Sequence, residues 1–110
     1  MSCIFCKIVA GEVPAKELYR DESAIAIADL NPQAPSHLLV IPQKHYATIS
    51  ELASGADGEA LAGHLVAIAS RLAGGGGFRL VVNTGEEGGQ TVDHVHVHAL
   101  AGRRMTWPPG

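Results

Sequence analysis

Three histidines near the C-terminal end of the chain stand at every second position. The stretch 93–100 reads DHVHVHAL, in which His94, His96 and His98 alternate with small apolar residues. Imidazole has an unperturbed pKa of about 6.5, so it can act as nucleophile, base or acid near neutral pH. Two neutral imidazoles can equally hold one metal ion. The pattern therefore indicates catalysis, a metal site or, in its plainest interpretation, a half-solvated strand with polar side chains.

The loop before the histidines favours catalysis on an anion. The segment 83–91, NTGEEGGQT, supplies the amide of Asn83, the backbone N–H groups of Gly88 and Gly89, and the hydroxyl of Thr91. These neutral donors suit a phosphate group, whereas a zinc hydrolase site more often gains a carboxylate or a third imidazole. Attack of a histidine on phosphorus is therefore favoured over metal hydrolysis.

The chain has two cysteines, Cys3 and Cys6, and both lie close to its N-terminal end. Their short separation argues against a disulfide that staples distant segments. The pair is open to three interpretations: a redox pair, two metal ligands, or two reduced and buried thiols.

The hydrophobic pattern predicts the elements that position these residues. The alternation over 91–100 predicts a final core strand with its three histidines on one face and Val95, Val97 and Ala99 on the other. Thr48 and Glu51 have the spacing of a capping box. The other predicted elements are a turn or short helix at 4–9, strands at 16–21, 22–30, 37–42 and 78–84, and a helix from near Asp57 to the glycines at 74–77.

The long helix has an apolar stripe that should face the sheet, formed by Leu61, Leu65, Ile68 and Leu72. Together the elements predict one α+β domain over residues 1–110: a mostly antiparallel sheet of about five strands, one long helix and a short N-terminal helix. His64, on the long helix, is expected to be a surface or interface residue without a chemical role.

The amino-acid composition of the chain limits the kinds of molecule that it is expected to bind. A formal net charge of −3 offers no basic surface for a long nucleic acid, so a small ligand is the favoured partner. No apolar run approaches the roughly 20 residues that a membrane helix needs, and the first residues lack the pattern of a signal peptide. The expected location is the cytoplasm, away from any membrane.

Five segments of the chain, in order, resemble the Hint-like branch of the histidine triad (HIT) superfamily. They are IFCKIVAGEVPAK, DLNPQAPSHLLVIPQKH, VVNTGEEGGQT, HVHVHAL and MTWPPG. The resemblance implies the HIT fold, a homodimer and a purine nucleotide (AMP-like) partner. It also implies hydrolysis of the bond to the α-phosphate of nucleoside phosphoramidates or acyl-nucleotides, through a nucleotidyl-histidine. Two alternatives stay open: a nucleotide-binding or partner-binding module with incidental activity, and a dinucleoside polyphosphate hydrolase.

The resemblance also implies a role for individual residues. His96 matches the nucleophile, His98 and His37 match the histidines at the phosphate, and Asp29 matches the aspartate that binds the ribose hydroxyls. Trp107 matches a tail residue that reaches the active site of the other protomer. The remaining matches are Asn83, Gly89 and Thr91 at the phosphate, and Ile4, Phe5, Ile8, Val13 and Ile27 in the base pocket.

A further part of the resemblance concerns a metal. Together Cys3, Cys6, His45 and His94 resemble a structural zinc site found in many bacterial HIT proteins and in the uridylyltransferase branch. Such a closed four-ligand site stabilises a fold, while catalysis itself requires no cofactor. The first histidine of the triad would then differ in role from the other two. Asp93, Ala101 and Thr106 depart from the animal Hint pattern, which leaves the substrate preference open.

Overall fold

The computed structural model describes residues 3–110 of the chain. Within them it contains three helices and five strands. Their order is α1 (Ile4–Val9), β1 (Glu17–Arg20), β2 (Ala24–Ala28), β3 (Ser36–Pro42), α2 (Ile49–Ser54), α3 (Gly58–Ala73), β4 (Phe78–Val81) and β5 (Val97–Ala101). No helix among the described residues is both long and apolar enough to cross a membrane.

The strands form one sheet in the order β1-β2-β3-β5-β4, and every neighbouring pair is antiparallel. The predicted α+β architecture is therefore confirmed. α3 covers one face of the sheet, where Leu65 and Ile68 are fully buried and Leu61 and Leu72 pack at the margin. The stripe predicted for this helix accordingly faces the sheet.

The other face of the sheet is also covered, and α1 covers it. Phe5 packs there with alternate residues of two neighbouring strands, Ile25 and Ile27 of β2 and Leu39 and Ile41 of β3. Residues of both β2 and β3 thus point into apolar surroundings on both faces. This explains why β3 is a nearly continuous apolar run rather than an alternating one.

The last strand is shorter than the pattern predicts. β5 begins at Val97, so His94 and His96 precede the ladder and do not lie within it. The preceding segment is held by other hydrogen bonds: the N–H of Val95 donates to the Tyr46 carbonyl over 2.8 Å. The predicted alternation still holds for packing, because Val95, Val97 and Ala99 all lie in the core beneath α3.

The predicted helices are confirmed, whereas three strands are shorter than predicted. α1 spans the predicted residues, and α3 begins after Asp57 and ends at Gly74, which has a φ of 94°. The capping box starts a separate short helix, α2, in which Thr48 Oγ1 accepts from the Glu51 N–H over 3.1 Å. A turn at 21–23 separates β1 from β2, and β4 already ends at Val81, before the glycine-rich loop.

Candidate functional site

A cavity of about 300 Å³ lies between α1 and the face of the sheet that carries Ile27 and Leu39. It contains most of the residues predicted for substrate binding and catalysis. The predicted residues that line it are Ile4, Phe5, Ile8, Val13, Ile27, Asp29, Thr91, His96 and His98. Most of the lining is apolar, and Asp29, Thr91, His96 and His98 supply its polar groups, which is the arrangement expected for a small-molecule site.

Six further residues line the cavity that the sequence pattern did not indicate: Pro14, Ala15, Ala28, Leu30, Leu39 and Val92. The pairing of β3 with β5 explains why one of them, Leu39, lies at the cavity. It stands opposite His98 in the β3–β5 ladder, and directly opposed residues project to the same face of a sheet. The sequence pattern does not show which residues of two strands stand opposite each other, so it could not predict that Leu39 lies beside His98.

His96 is held with one ring nitrogen free. Its Nδ1 lies 2.8 Å from the carbonyl oxygen of His94. A carbonyl oxygen only accepts, so Nδ1 carries the proton and Nε2 of the neutral ring keeps a lone pair. The ring is buried, and Phe5 packs edge-on against it with 5.1 Å between ring centroids. The arrangement therefore presents a positioned nucleophilic nitrogen.

His37 and His98 form a second oriented pair. The backbone N–H of Gln33 donates to His37 Nδ1 over 3.0 Å, so the proton of the neutral His37 ring is on Nε2. That Nε2–H donates to His98 Nδ1 over 2.9 Å, which places the His98 proton on Nε2. Burial, together with the imidazoles of His96 and His37, lowers the pKa of His98 to about 4. Near neutral pH His98 is thus a neutral hydrogen-bond donor at the cavity.

Asp29 is placed at the edge of the same cavity by its own turn. Its Oδ1 accepts from the Asn31 N–H over 2.8 Å, in the manner of an Asx turn. Its Oδ2 lies 3.4 Å from His37 Nε2. The carboxylate is therefore oriented by the backbone and still has acceptor capacity for a hydroxyl group.

The cavity lining found within residues 3–110 does not include four of the predicted site residues. His37 lies behind His98, buried, and reaches the site through that ring. Asn83 is half-buried and Gly89 is exposed on the glycine-rich loop. Trp107 is 82% exposed, and its ring lies 5.9 Å from the guanidinium of Arg79.

The structure brings together the four residues predicted as metal ligands. One ligand atom from each of Cys3, Cys6, His45 and His94 lies within 4.8 Å of every other. Ligand atoms around a tetrahedral zinc, at about 2.0–2.3 Å from the ion, stand roughly 3.3–3.8 Å apart. His94 Nδ1 lies 3.4 Å from Cys3 Sγ and 3.5 Å from Cys6 Sγ. His45 Nδ1 lies 3.2 Å from Cys6 Sγ. The spacing suits one tetrahedral ion.

Hydrogen bonds around this cluster also prepare it for a cation. His94 Nε2 donates to the Pro42 carbonyl over 2.9 Å, which leaves Nδ1 bare and turned toward the sulfurs. Burial lowers the pKa of His94, which keeps its ring neutral as a metal ligand must be. Burial, together with Cys3, raises the pKa of the Cys6 thiol, and a bound cation would oppose this effect.

A second group of possible ligands, Asp29, His37 and His98, also has its atoms within 4.8 Å of one another. The tautomer of His37 argues against a metal there. Its Nδ1 accepts from Gln33, so its Nε2 is protonated and cannot coordinate. Of the two clusters found among the described residues, the Cys/His cluster is the one whose donors suit a metal.

His64 and Asp93 both lie outside the cavity lining. His64, predicted as a surface or interface residue, is half-exposed, and its Nε2 lies 2.6 Å from Asp21 Oδ2, which links α3 to the β1–β2 turn. Asp93, which departs from the animal Hint pattern, is exposed and lies outside the cavity lining.

Known proteins resemble this chain both in sequence and in fold. A family model described as the HIT domain matches residues 10–105. A solved structure named as a HIT family hydrolase, from Legionella pneumophila, superimposes with a TM-score of 0.92 at 46% identity. The alignment covers 99% of this chain and 100% of that one. An uncharacterised HIT-like protein from Synechococcus elongatus is 47% identical, over 97% of this chain and 96% of its own length.

A third relative bears on the Cys/His cluster. It is a Zn-bound histidine triad family protein from Mycobacterium smegmatis, 35% identical with a TM-score of 0.79. The alignment covers 94% of this chain and 76% of that one. With the family model matching most of its length and the oriented histidines His94, His96 and His98 in place, this chain belongs to the histidine triad family.

Proposed function

We propose that this protein is a nucleotide hydrolase that cleaves the bond to the α-phosphate of purine nucleoside phosphoramidates or acyl-nucleotides. The observation that carries the proposal is the hydrogen bond from His96 Nδ1 to the His94 carbonyl. It leaves the Nε2 lone pair of His96 available in a cavity that also contains His98 and Asp29. A fixed neutral imidazole beside hydrogen-bond donors suits attack on phosphorus.

The proposed reaction has two displacements. His96 Nε2 forms a bond to the α-phosphorus while the bond from phosphorus to the leaving group breaks. Water then attacks the nucleotidyl-histidine, releasing the nucleoside monophosphate and restoring the neutral ring. The His94 carbonyl stabilises the imidazolium character of His96 in the intermediate, because it accepts the Nδ1 proton.

The proton for an amine leaving group must arrive with the substrate. His98 is neutral near pH 7 because its pKa is lowered to about 4. His98 Nδ1 accepts the Nε2–H of His37, so the ring has no free lone pair that could take up this proton. The proton therefore enters on the substrate nitrogen, and His98 donates through Nε2–H to a phosphoryl oxygen.

The remaining predicted contacts complete this proposal. Asp29 would accept from the ribose hydroxyls, and the loop residues Asn83, Gly89 and Thr91 would donate to the phosphate. Thr91 supports this assignment because it lines the cavity. The purine would contact the predicted apolar residues of the cavity lining, Ile4, Phe5, Ile8, Val13 and Ile27.

We also propose that Cys3, Cys6, His45 and His94 hold a structural zinc. The ligand spacing and the orientation of His94 support this assignment. The Zn-bound state of the Mycobacterium smegmatis relative supports it further. A zinc held by all four residues would leave no open coordination position, so its role would be to fix α1 to the sheet.

A homodimer completes the proposal. β4 is an edge strand of the sheet, with one neighbour only. Phe78 of this strand and Val82 just after it are 40% and 36% exposed, and Val66 of α3, the helix that contacts β4, is 45% exposed. A second copy that paired this edge would bury exposed apolar side chains of the strand. Trp107, exposed on the same side as Arg79 of β4, would then be able to reach the partner's site.

The first test is turnover by the wild-type protein and by His96→Ala. Adenosine phosphoramidate and an aminoacyl-adenylate serve as substrates, and binding of AMP is measured for both proteins by calorimetry. We expect AMP to bind both proteins but only the wild type to turn over, with a loss of at least ~10³-fold in the variant.

Equal rates for the two proteins would defeat the assignment of His96. Binding without turnover in the wild type would instead identify a nucleotide-binding module. A faster reaction with a diadenosine polyphosphate, followed by product analysis, would identify a dinucleoside polyphosphate hydrolase.

A further inference from the structure

A residue of the C-terminal tail contacts the loop that precedes β3. Arg103 Nε donates to the Gln33 carbonyl over 2.9 Å, and its Nη1 donates to the Arg104 carbonyl over 3.2 Å. The salt bridges found within residues 3–110 do not include Arg103. Its guanidinium thus binds backbone carbonyls and no carboxylate of the described chain.

A second contact joins the same two segments independently. Gly102 has a φ of 94°, and a Cβ built there would lie 2.9 Å from the Cβ of Pro35. A side chain at position 102 would therefore collide with the loop and strain the backbone. The tail at 102–103 and the loop at 33–35 are in close contact at two neighbouring points.

That loop sets the proton position of a histidine in the site. The N–H of Gln33, the residue whose carbonyl binds Arg103, donates to His37 Nδ1. His37 in turn donates to His98. Three hydrogen bonds therefore connect the guanidinium of Arg103 to His98, through the carbonyl and the N–H on either side of the Gln33 Cα and through the ring of His37.

We propose that Arg103 is a positioning residue for the reaction, acting through Gln33 to hold His37 and His98 in the tautomers that the site uses. The proposal rests on the proposed hydrolase function for its catalytic consequence, but the tautomers can be measured without turnover. Arg103 itself does not touch the cavity.

Loss of the Arg103 guanidinium should free the peptide group between Gln33 and Ala34 and, through the Gln33 Cα, loosen the preceding peptide group, whose N–H binds His37. His37 Nδ1 would then lose its fixed donor, and its proton could move between the two ring nitrogens. In the other tautomer, bare Nε2 would face the bare Nδ1 of His98, so His98 would have to change its proton position too. His98 would then no longer present Nε2–H at the cavity, and transition-state stabilisation would fall.

The experiment compares Arg103→Met with Arg104→Met, a neighbouring arginine that serves as the matched control. The side chain of Arg104 makes none of the hydrogen bonds in this series. Arg103→Lys tests rescue, because lysine keeps one charged donor. Protein labelled with ¹⁵N in histidine reports the protonation of each ring nitrogen, circular dichroism checks folding, and steady-state kinetics give kcat and KM.

We expect the His37 Nδ1 resonance to move from an unprotonated value toward an averaged one in Arg103→Met. It should stay unchanged in Arg104→Met and be partly restored in Arg103→Lys. kcat should fall roughly three- to tenfold in Arg103→Met with little change in KM, the effect of one lost hydrogen bond.

Unchanged His37 signals in folded Arg103→Met, or equal changes in both methionine variants, would overturn the proposal. Failure of the proposed function gives a different result. In that case the His37 signals would still respond to Arg103→Met, while wild-type and His96→Ala proteins would hydrolyse the substrates equally.

Discussion

The carbonyl oxygen of His94 accepts the Nδ1–H of His96 over 2.8 Å, so one residue of the triad orients the next through its backbone. The ring of His94 points elsewhere, with Nδ1 toward Cys3 and Cys6. Phe5, on α1 between these cysteines, packs edge-on against both rings, at centroid distances of 5.8 Å and 5.1 Å. The Cys/His cluster and the proposed nucleophile are therefore joined by direct contacts, through the His94 backbone and the ring of Phe5.

Metal removal should weaken both the fold and the nucleotide pocket. We expect about one zinc per chain by elemental analysis of protein never exposed to chelator. Its removal should lower Tm by at least ~8 °C, the equivalent of ~2 kcal/mol in a domain of this size. AMP affinity should fall as well, because α1 carries Ile4, Phe5 and Ile8 of the pocket.

Cys6→Ser serves as the control for metal removal, because its stability should no longer respond to the chelator. Protein without metal, with both thiols of Cys3 and Cys6 freely titratable in the native state, would contradict the zinc assignment.

The pKa of His98 predicts how stability depends on pH. The folded-state pKa of about 4 lies below the unfolded value of about 6.5, so the unfolded chain binds more protons between these values. Stability should therefore fall as pH drops from about 6.5 to about 4, by ~1–3 kcal/mol from this group. Urea unfolding at several pH values should show a weaker dependence in His98→Gln. The wild-type protein is the comparison, and an unaltered pH dependence in His98→Gln would contradict the prediction.

Asp29→Asn should alter sugar discrimination more than folding. Asn keeps the oxygen that accepts from the Asn31 N–H, so the turn should survive. The negative charge offered to the ribose hydroxyls is lost. We expect wild-type protein to prefer a ribonucleoside over a 2′-deoxyribonucleoside phosphoramidate by roughly tenfold in kcat/KM, and the variant to lose most of that preference. A preserved ratio would show that Asp29 does not contact the sugar.

The pair formed by Asp21 and His64 should contribute to stability without affecting turnover. Burial acts to raise the pKa of Asp21, but hydrogen bonds from the backbone of Ser23, from Tyr19 and from His64 outweigh it and lower the pKa. The pair is partly exposed, so we expect a coupling of only ~1 kcal/mol in a double-mutant cycle of Asp21→Asn and His64→Gln. Additive effects, or a loss of activity in either single variant at full folding, would contradict this assignment.

The proposed dimer can be tested with two exposed apolar residues on opposite edges. Val66, on the helix α3 that contacts β4, is 45% exposed, and Leu18, on the far edge strand β1, is 41% exposed. We expect Val66→Asp to convert a dimer to a monomer in light scattering and Leu18→Asp to leave it intact. A dimer in both variants would place the interface elsewhere, and a wild-type monomer would exclude it at the concentration used.

The sequence by itself determined the elements and their faces. Alternation placed Val95, Val97 and Ala99 toward the core, and the spacing of four, three and four placed the helix stripe against the sheet. Periodicity predicts which side of an element is buried, because it reflects geometry within that element. It could not predict where β5 begins, because the N–H of Val95 donates to the carbonyl of Tyr46, which is far away along the chain.

The assignment of roles to individual histidines needed more than the pattern. From spacing alone the three imidazoles were equivalent, and the family resemblance separated His94 from His96. Only the tertiary structure decided which nitrogen of each ring is free, because the partners are backbone groups with no sequence signature. His37 meets His98 across 61 positions, and Arg103 meets Gln33 across 70. Contacts at such separations arise when strands and tail pack together, which no local pattern encodes.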